Sequence, residues 1–129
     1  MAKCIILDTN FLLIPAKFSV DVFAEIRRIC DFSYELCAME GSIRELERLR
    51  DQGGKTGMDA RAARATLVLL KSKHLNIIPN AGEHVDDAIV AKSGPGIIVA
   101  TQDAALRARA KAKGARVIVL RQKAHLIFA

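Results

Sequence analysis

Two carboxylates in this chain sit where an α/β protein most readily builds chemistry. Asp8 directly follows the apolar run Cys4-Ile5-Ile6-Leu7, and Asp103 comes three residues after Ile97-Ile98-Val99-Ala100. Each run is short, rich in β-branched residues and without polar alternation, as in a strand buried on both faces. An acid just past such a strand lies at the carboxyl edge of the sheet, where open α/β folds bind ligands. If the two strands run parallel in one sheet, both carboxylates aim into one crevice.

Asp86 adds a third acid. On a helical wheel it falls between Ile89 and Val90, at the border of an apolar face, whereas Asp87 turns toward solvent with Ala91. A carboxylate aimed inward must be paired, protonated or bound to a cation, because burying a bare charge is too unfavourable. A fourth position is open between two residues. Ile43, Leu46 and Leu49 mark the inner face of a helix, and Glu45 and Glu47 flank that face on opposite borders. Each acid also has a plainer use. Asp8 and Asp103 can cap a turn or helix, with Thr101 competing for the second cap. Glu83, Asp86 and Asp87 can complement a helix dipole. Ser42-Ile43-Arg44-Glu45 reads as a capping box.

Gathered in one crevice, Asp8, Asp86, Asp103 and Glu45 would repel one another. A hard divalent cation offsets that repulsion, and Mg²⁺ or Mn²⁺ fits an all-carboxylate set. The rest of the chain is basic, with a net charge of +6, which favours polyanionic partners, nucleic acid first. A carboxylate-held metal inside a basic protein suggests phosphodiester cleavage. Arg107 and Lys111 form one stripe on the helix after Asp103, Arg109 and Lys113 another, and Arg61 with Arg64 a separate patch; a solvated basic face is the plainer reading of all three. Tyr34 is the one Tyr and there is no Trp, which argues against recognition by base stacking. His74, His84 and His125 are scattered, have no acid partner at ligand spacing, and read as surface or packing residues.

The elements that position these groups follow from the chain's punctuation. Residues 11–14 suit a short helix limited by Pro15, and Ser19 can cap a helix over 20–29. A strand over 35–39 ends at Gly41, and Ser42 opens the next helix. The glycine-rich stretch 51–57 reads as a loop or hinge, before an alanine-rich helix over 58–73. Asn76–Ile78 is a short strand closed by Pro79. Asn80-Ala81-Gly82-Glu83 is a second capping-box candidate for a helix reaching Lys92. A helix over 103–113 stops at Gly114, a strand follows over 116–120, and His125–Phe128 can add an edge strand. Strands alternating with helices imply a three-layer α/β/α sandwich with a mostly parallel central sheet. A length of 129 residues suits a single domain, 1–129. No apolar run is long enough to span a bilayer, and the N-terminus lacks a signal-peptide pattern; a soluble cytoplasmic protein is expected. Cys4, Cys30 and Cys37 are odd in number and lack CxxC spacing, so they read as inert buried thiols.

Leu7-Asp8-Thr9-Asn10 after the first strand, Glu45-Leu46, Asp86-Asp87-Ala88-Ile89 and Val99-Ala100-Thr101-Gln102-Asp103 resemble, in that order, the motifs of PIN-domain nucleases. The resemblance covers nearly the whole chain. The loop with Lys55 and Thr56, Val85-Asp86-Asp87 and Leu120-Arg121-Gln122-Lys123 are most similar to the archaeal branch, which is akin to the small-subunit processome nuclease and is also described as VapC-type toxins. The resemblance implies Asp8, Glu45, Asp86 and Asp103 as catalytic, metal-binding acids, and so selects Glu45 over Glu47. It implies that Thr101 orients Asp103 and that Asn10 supports Asp8. Many members carry a further acid after the one matching Asp103; Ala104, Ala105 and Leu106 stand there, which leaves a second metal weakly held or absent, with Asp87 as a candidate to compensate. It further implies an Mg²⁺- or Mn²⁺-dependent endoribonuclease that cuts single-stranded RNA to 5′-phosphate and 3′-hydroxyl ends. Arg107, one turn past Asp103, would hold a phosphate. The expected partners are RNA, an antitoxin or ribosome-assembly factors, and a second copy in a homodimer, with no membrane.

Two other readings compete. A non-catalytic RNA-binding PIN module would bind RNA without cleaving it. A receiver or phosphatase domain would use Asp8 as a phosphoryl acceptor, but Asp8-Thr9-Asn10 lacks the second aspartate that the phosphatase motif requires.

Overall fold

The computed structural model describes residues 2–52, 57–80 and 82–129. Strands β1 (Lys3–Leu7), β2 (Tyr34–Met39), β3 (Asn76–Ile78), β4 (Ile97–Ala100), β5 (Arg116–Arg121) and β6 (His125–Phe128) form one sheet in the order β3-β2-β1-β4-β5-β6. The first five pair in parallel and β6 closes the edge antiparallel to β5. Helices α1 (Thr9–Leu12), α2 (Ile14–Phe18), α3 (Val22–Ile29), α4 (Glu40–Asp51), α5 (Gly57–Leu70), α6 (Val85–Lys92) and α7 (Ala104–Ala112) complete an α/β sandwich, the class expected from the sequence.

The central strands β1, β4 and β5 carry apolar runs because both of their faces are covered, whereas β3 at the edge is largely exposed. Side chains alternate between faces. Ile5, Leu7, Ile98, Ala100, Ile118 and Leu120 join one core with Phe11, Phe23, Ile26 and Leu46 from α1, α3 and α4. Ile6, Cys37, Met39, Val99 and Val117 join the other with Ala88, Ile89, Leu106 and Ala110 from α6 and α7. From β1 the chain moves outward through β2 to β3, then returns to β4 on the opposite side of β1. The crossing point, between β1 and β4, is where an open parallel sheet leaves a crevice.

Four local expectations need correction. Pro15 does not end a helix; it sits in the first turn of α2, where its missing N–H is harmless. Ser19 does not cap α3: it is the left-handed residue ending α2, and the Asp21 carboxylate accepts from Ala24 N at 3.0 Å instead. Ser42 opens no capping box, because α4 begins two residues earlier, at Glu40. Asn80 supplies what that helix end lacks: its side-chain oxygen accepts from Gly41 N at 2.8 Å, while its amide donates to the Glu83 carbonyl. Asn80 therefore does not cap α6, whose N-cap is His84 without a side-chain hydrogen bond. The loop residues Lys55 and Thr56 and the residue Ala81 lie outside the described residues.

Candidate active site

Asp8 ends β1 at the crossing point and caps α1. Its Oδ1 accepts from Thr9 N at 2.8 Å and its Oδ2 accepts from the Thr101 hydroxyl at 2.9 Å. Only 6% of Asp8 is exposed. Burial holds its pKa above the ordinary Asp value; the two hydrogen bonds oppose this, and the charges of Asp86 and Glu45 add to it. Among the described residues no cationic side chain is paired with Asp8. A buried carboxylate with two acids in its field and no counter-ion is a site of unbalanced negative charge.

Thr9 ties the next acid into place. Its hydroxyl donates to Ser42 Oγ at 2.7 Å and also lies 3.2 Å from Glu45 Oε1. With α4 starting at Glu40, Ser42 faces inward and is fully buried. One stripe of α4 then faces a crevice of about 540 Å³, presenting Gly41, Arg44, Glu45 and Arg48; Asn80, His84 and Asp86 line the other side. Glu47 instead joins a separate groove with Ile43, Arg64 and Leu67. The two glutamates that periodicity left equivalent thus go to different faces. The Gly41 position is tight, since a Cβ there would fall 2.8 Å from Val85 Cγ2 and 2.9 Å from Asn80 Nδ2. Only glycine lets α4 and the start of α6 approach this closely.

Asp86 does not point into the core as its wheel position suggests. Helix α6 begins at Val85, so Asp86 lies in the first turn, exposed at the crevice mouth. Asp87 turns the other way and pairs with Arg109 at 2.9 Å. Asp103 caps α7 through Oδ1, which accepts from Leu106 N at 3.0 Å, and its own N–H donates to the Thr101 hydroxyl at 3.1 Å. Thr101 is therefore the joint between the two strand-end acids: it donates to Asp8 and accepts from Asp103. Asn10 is exposed on α1; the partners of Asp8 are Thr9 and Thr101.

Of the expected basic contacts, Arg107 donates to the Gln102 carbonyl at 2.9 Å, close behind Asp103. Lys111 is exposed farther along α7. Arg61 lines a depression between α2 and α5, and Arg64 lines the groove with Glu47; neither borders the crevice that holds Glu45 and Asp86. Arg44, Arg48 and His84 do; sequence reasoning passed over the two arginines and read His84 as a surface or packing residue. The arginines' signal was available, since residues at 41, 44, 45 and 48 share one helix face. Gln102 was also missed. Its side chain accepts from Leu120 N at 2.7 Å and donates to Leu120 O at 3.2 Å, extending the β4–β5 ladder and fixing the segment that carries Thr101 and Asp103.

Among the described residues, no three Asp, Glu, His or Cys side chains stand close enough together to form a closed metal cage. Mg²⁺ does not require one, as it keeps several waters and binds through one or two carboxylates. Asp8, buried and without a cationic partner among the described residues, stands in the field of the oxygen donors Glu45 and Asp86, and that chemistry fits such a cation.

Fold, order of motifs and crevice together define a class. The PIN like domain family matches residues 5–123, and the chain belongs to that family. Among curated relatives, Ribonuclease VapC4 of Methanocaldococcus jannaschii is 31% identical over 121 residues, 92% of this chain and 91% of its own length. Ribonuclease VapC9 of Archaeoglobus fulgidus is 30% identical over 121 residues, covering 93% and 84%. Among solved structures, the PIN domain endonuclease Utp24 superposes with a TM-score of 0.77 at 22% identity, over 97% of this chain and 90% of that one.

Proposed function

We propose that this chain is a divalent-metal-dependent endoribonuclease acting on single-stranded RNA, with residues 1–129 working as one PIN-like unit. The observation that carries the reading is Asp8: a buried carboxylate at the sheet's crossing point, in the field of Asp86 and Glu45, with no cationic partner among the described residues. Two relatives named as ribonucleases, aligned over more than nine-tenths of this chain, support the activity.

In this reading Asp8, Glu45, Asp86 and Asp103 provide the oxygen ligands. When bound, Mg²⁺ or Mn²⁺ would lower the pKa of a water so that hydroxide is available as nucleophile, and would offset charge on the leaving oxygen. The chain's own part is positioning. Thr101 holds Asp8 Oδ2, Thr9 holds Glu45, and the first turn of α6 sets Asp86 at the mouth. Arg48 and His84 face the same crevice and hold RNA phosphates beside the acids, with Arg107 behind Asp103 as a further contact. Arg44 is drawn toward Glu40, at 2.9 Å, and plays the smaller part. The products carry 5′-phosphate and 3′-hydroxyl ends. RNA is the substrate; an antitoxin or a ribosome-assembly factor is the protein partner, and a homodimer the assembly.

The test is cleavage of an end-labelled single-stranded RNA with Mg²⁺, Mn²⁺ or EDTA, beside Asp8→Asn. Cleavage only by the wild type with metal supports the reading, and cleavage that survives both EDTA and the substitution overturns it. The open spacing of the acids favours one alternative, an RNA-binding module without catalysis. That module would bind RNA equally well with Asp86→Asn and cleave nothing. A neighbouring gene whose product blocks cleavage would mark the protein as a toxin rather than a ribosomal-RNA processor.

A further inference from the structure

Cys4 and Cys37 were expected to be inert buried thiols, and the structure sets them side by side. β1 and β2 pair in parallel with Cys4 opposite Glu35 and Ile6 opposite Cys37. Residues two apart on a strand share a face, so both thiols emerge on the side covered by α6 and α7, as diagonal neighbours. Their sulfurs are 2.7 Å apart. Cys37 is buried, 2% exposed, in the core with Ile6, Met39 and Val99, whereas Cys4 is half-buried at the start of β1. The hydrogen bond from Cys37 holds the Cys4 thiol below its ordinary pKa, and the Cys37 thiol is pushed well above its own. Cys30 lies in the opposite core and has no sulfur partner among the described residues.

We propose that Cys4 and Cys37 are a reversible disulfide site, a covalent clamp between β1 and β2. The two sulfurs need to close by about 0.7 Å to reach a disulfide bond length. The roles divide by exposure and charge. Cys4, reachable and richer in thiolate, is the attacking sulfur; Cys37, shielded, is the resolving one. With a small disulfide oxidant such as oxidised glutathione, the Cys4 thiolate attacks one sulfur, forms a mixed disulfide and releases one glutathione thiolate. The Cys37 thiol gives its proton to that thiolate, attacks Cys4 Sγ and releases the second glutathione. Two electrons leave the cysteine pair, and one disulfide becomes two thiols. The clamp closes a loop between residues 33 positions apart. It joins the strand that ends at Asp8 to the strand that leads into α4 and Glu45, and it does not depend on the nuclease reading.

The experiment treats the purified full chain with oxidised glutathione, alkylates the remaining thiols in denaturant and measures intact mass and linked peptides. The expected result is one alkylated cysteine, Cys30, and a Cys4–Cys37 peptide that dithiothreitol releases. Melting temperature should rise on oxidation by on the order of 10 °C, with no rise in Cys4→Ser or Cys37→Ser. Three thiols still alkylated after treatment, or glutathione retained on Cys4 beside a free Cys37, would overturn the proposal. The wild-type mass result stands alone should either serine variant fail to fold.

Discussion

Two carboxylates, one at the sheet's crossing point and one beside its β6 edge, have been pushed in opposite directions. Asp8 is buried between β1 and β4 and held above its ordinary pKa by burial and by Asp86 and Glu45. Glu25, on α3 beside the β6 edge, is held down to about 2: Arg28 donates to both its oxygens at 2.9 and 3.0 Å, and Leu126 N donates at 2.9 Å. Arg28 also donates to the Leu126 carbonyl, so the pair fastens the last strand to α3. Glu25 has every partner a carboxylate needs, and its ionised form favours the fold. Among the described residues Asp8 has two hydrogen bonds and no cation, and its ionised form opposes the fold. An acid that a protein keeps despite that opposition is a candidate for chemistry.

The sharpest way to break the contrast is Asp8→Asn. Asparagine can keep the α1 cap, since its side-chain oxygen still accepts from Thr9 N. Cleavage should fall by on the order of 10³ or more, while melting temperature rises. The raised pKa means that the fold is favoured by protonated Asp8 below its ordinary value of 3.8 and loses that contribution as pH rises through the higher folded value. The variant's advantage should therefore grow from mildly acidic to neutral pH, in melting curves taken across that range. An Asp8→Asn chain less stable than wild type at every pH would remove the contrast. Metal should act on the same charge. At a hundred times its dissociation constant, Mg²⁺ or Mn²⁺ should stabilise the wild type by about 2.7 kcal/mol and leave Asp8→Asn unmoved in the same melts.

Glu45 and Glu47 refine the comparison within one helix. Glu45→Gln should lower cleavage roughly 10–100-fold, and Glu47→Gln should change it by less than about twofold, in parallel steady-state assays. At the other corner, Glu25→Ala removes the bonds that hold β6 and should reduce stability by roughly 1–2 kcal/mol, with screening limiting the effect. Cleavage should be unchanged. Because the Glu25 pKa is depressed, its contribution is present above its ordinary value of 4.5 and disappears as pH falls toward 2. The smallest change expected is a gain. Gln122 and Lys123 both have positive φ in the turn between β5 and β6, 55° and 51°, so Lys123→Gly should add about 0.5–1 kcal/mol in denaturant titration.

These cases also show what the chain's letters reveal. The strands were legible because β1, β4 and β5 are covered on both faces and read as unbroken apolar runs. The strand-end acids were legible by position. The helix starts were misread wherever the group that satisfies them lies far along the chain. Asn80 serves Gly41 from 39 residues away, which frees Ser42 for Thr9, and no local pattern can show that. Asp86 was misplaced because a wheel assumes the middle of a helix, whereas the residue occupies the first turn. The β5–β6 turn gave no signal because Gln-Lys lacks the Asn-Gly chemistry such turns favour.

The Thr101 hydroxyl reaches Asp8 from 93 positions along the chain, and β4 must slide in beside β1 before that bond can form. A ribosome making this protein therefore delivers Asp8 and Thr9 well before Thr101. The newborn polypeptide carries an unarmed acid until β4 has emerged. On the proposed function, the order of its strands withholds RNA cleavage until that strand is made.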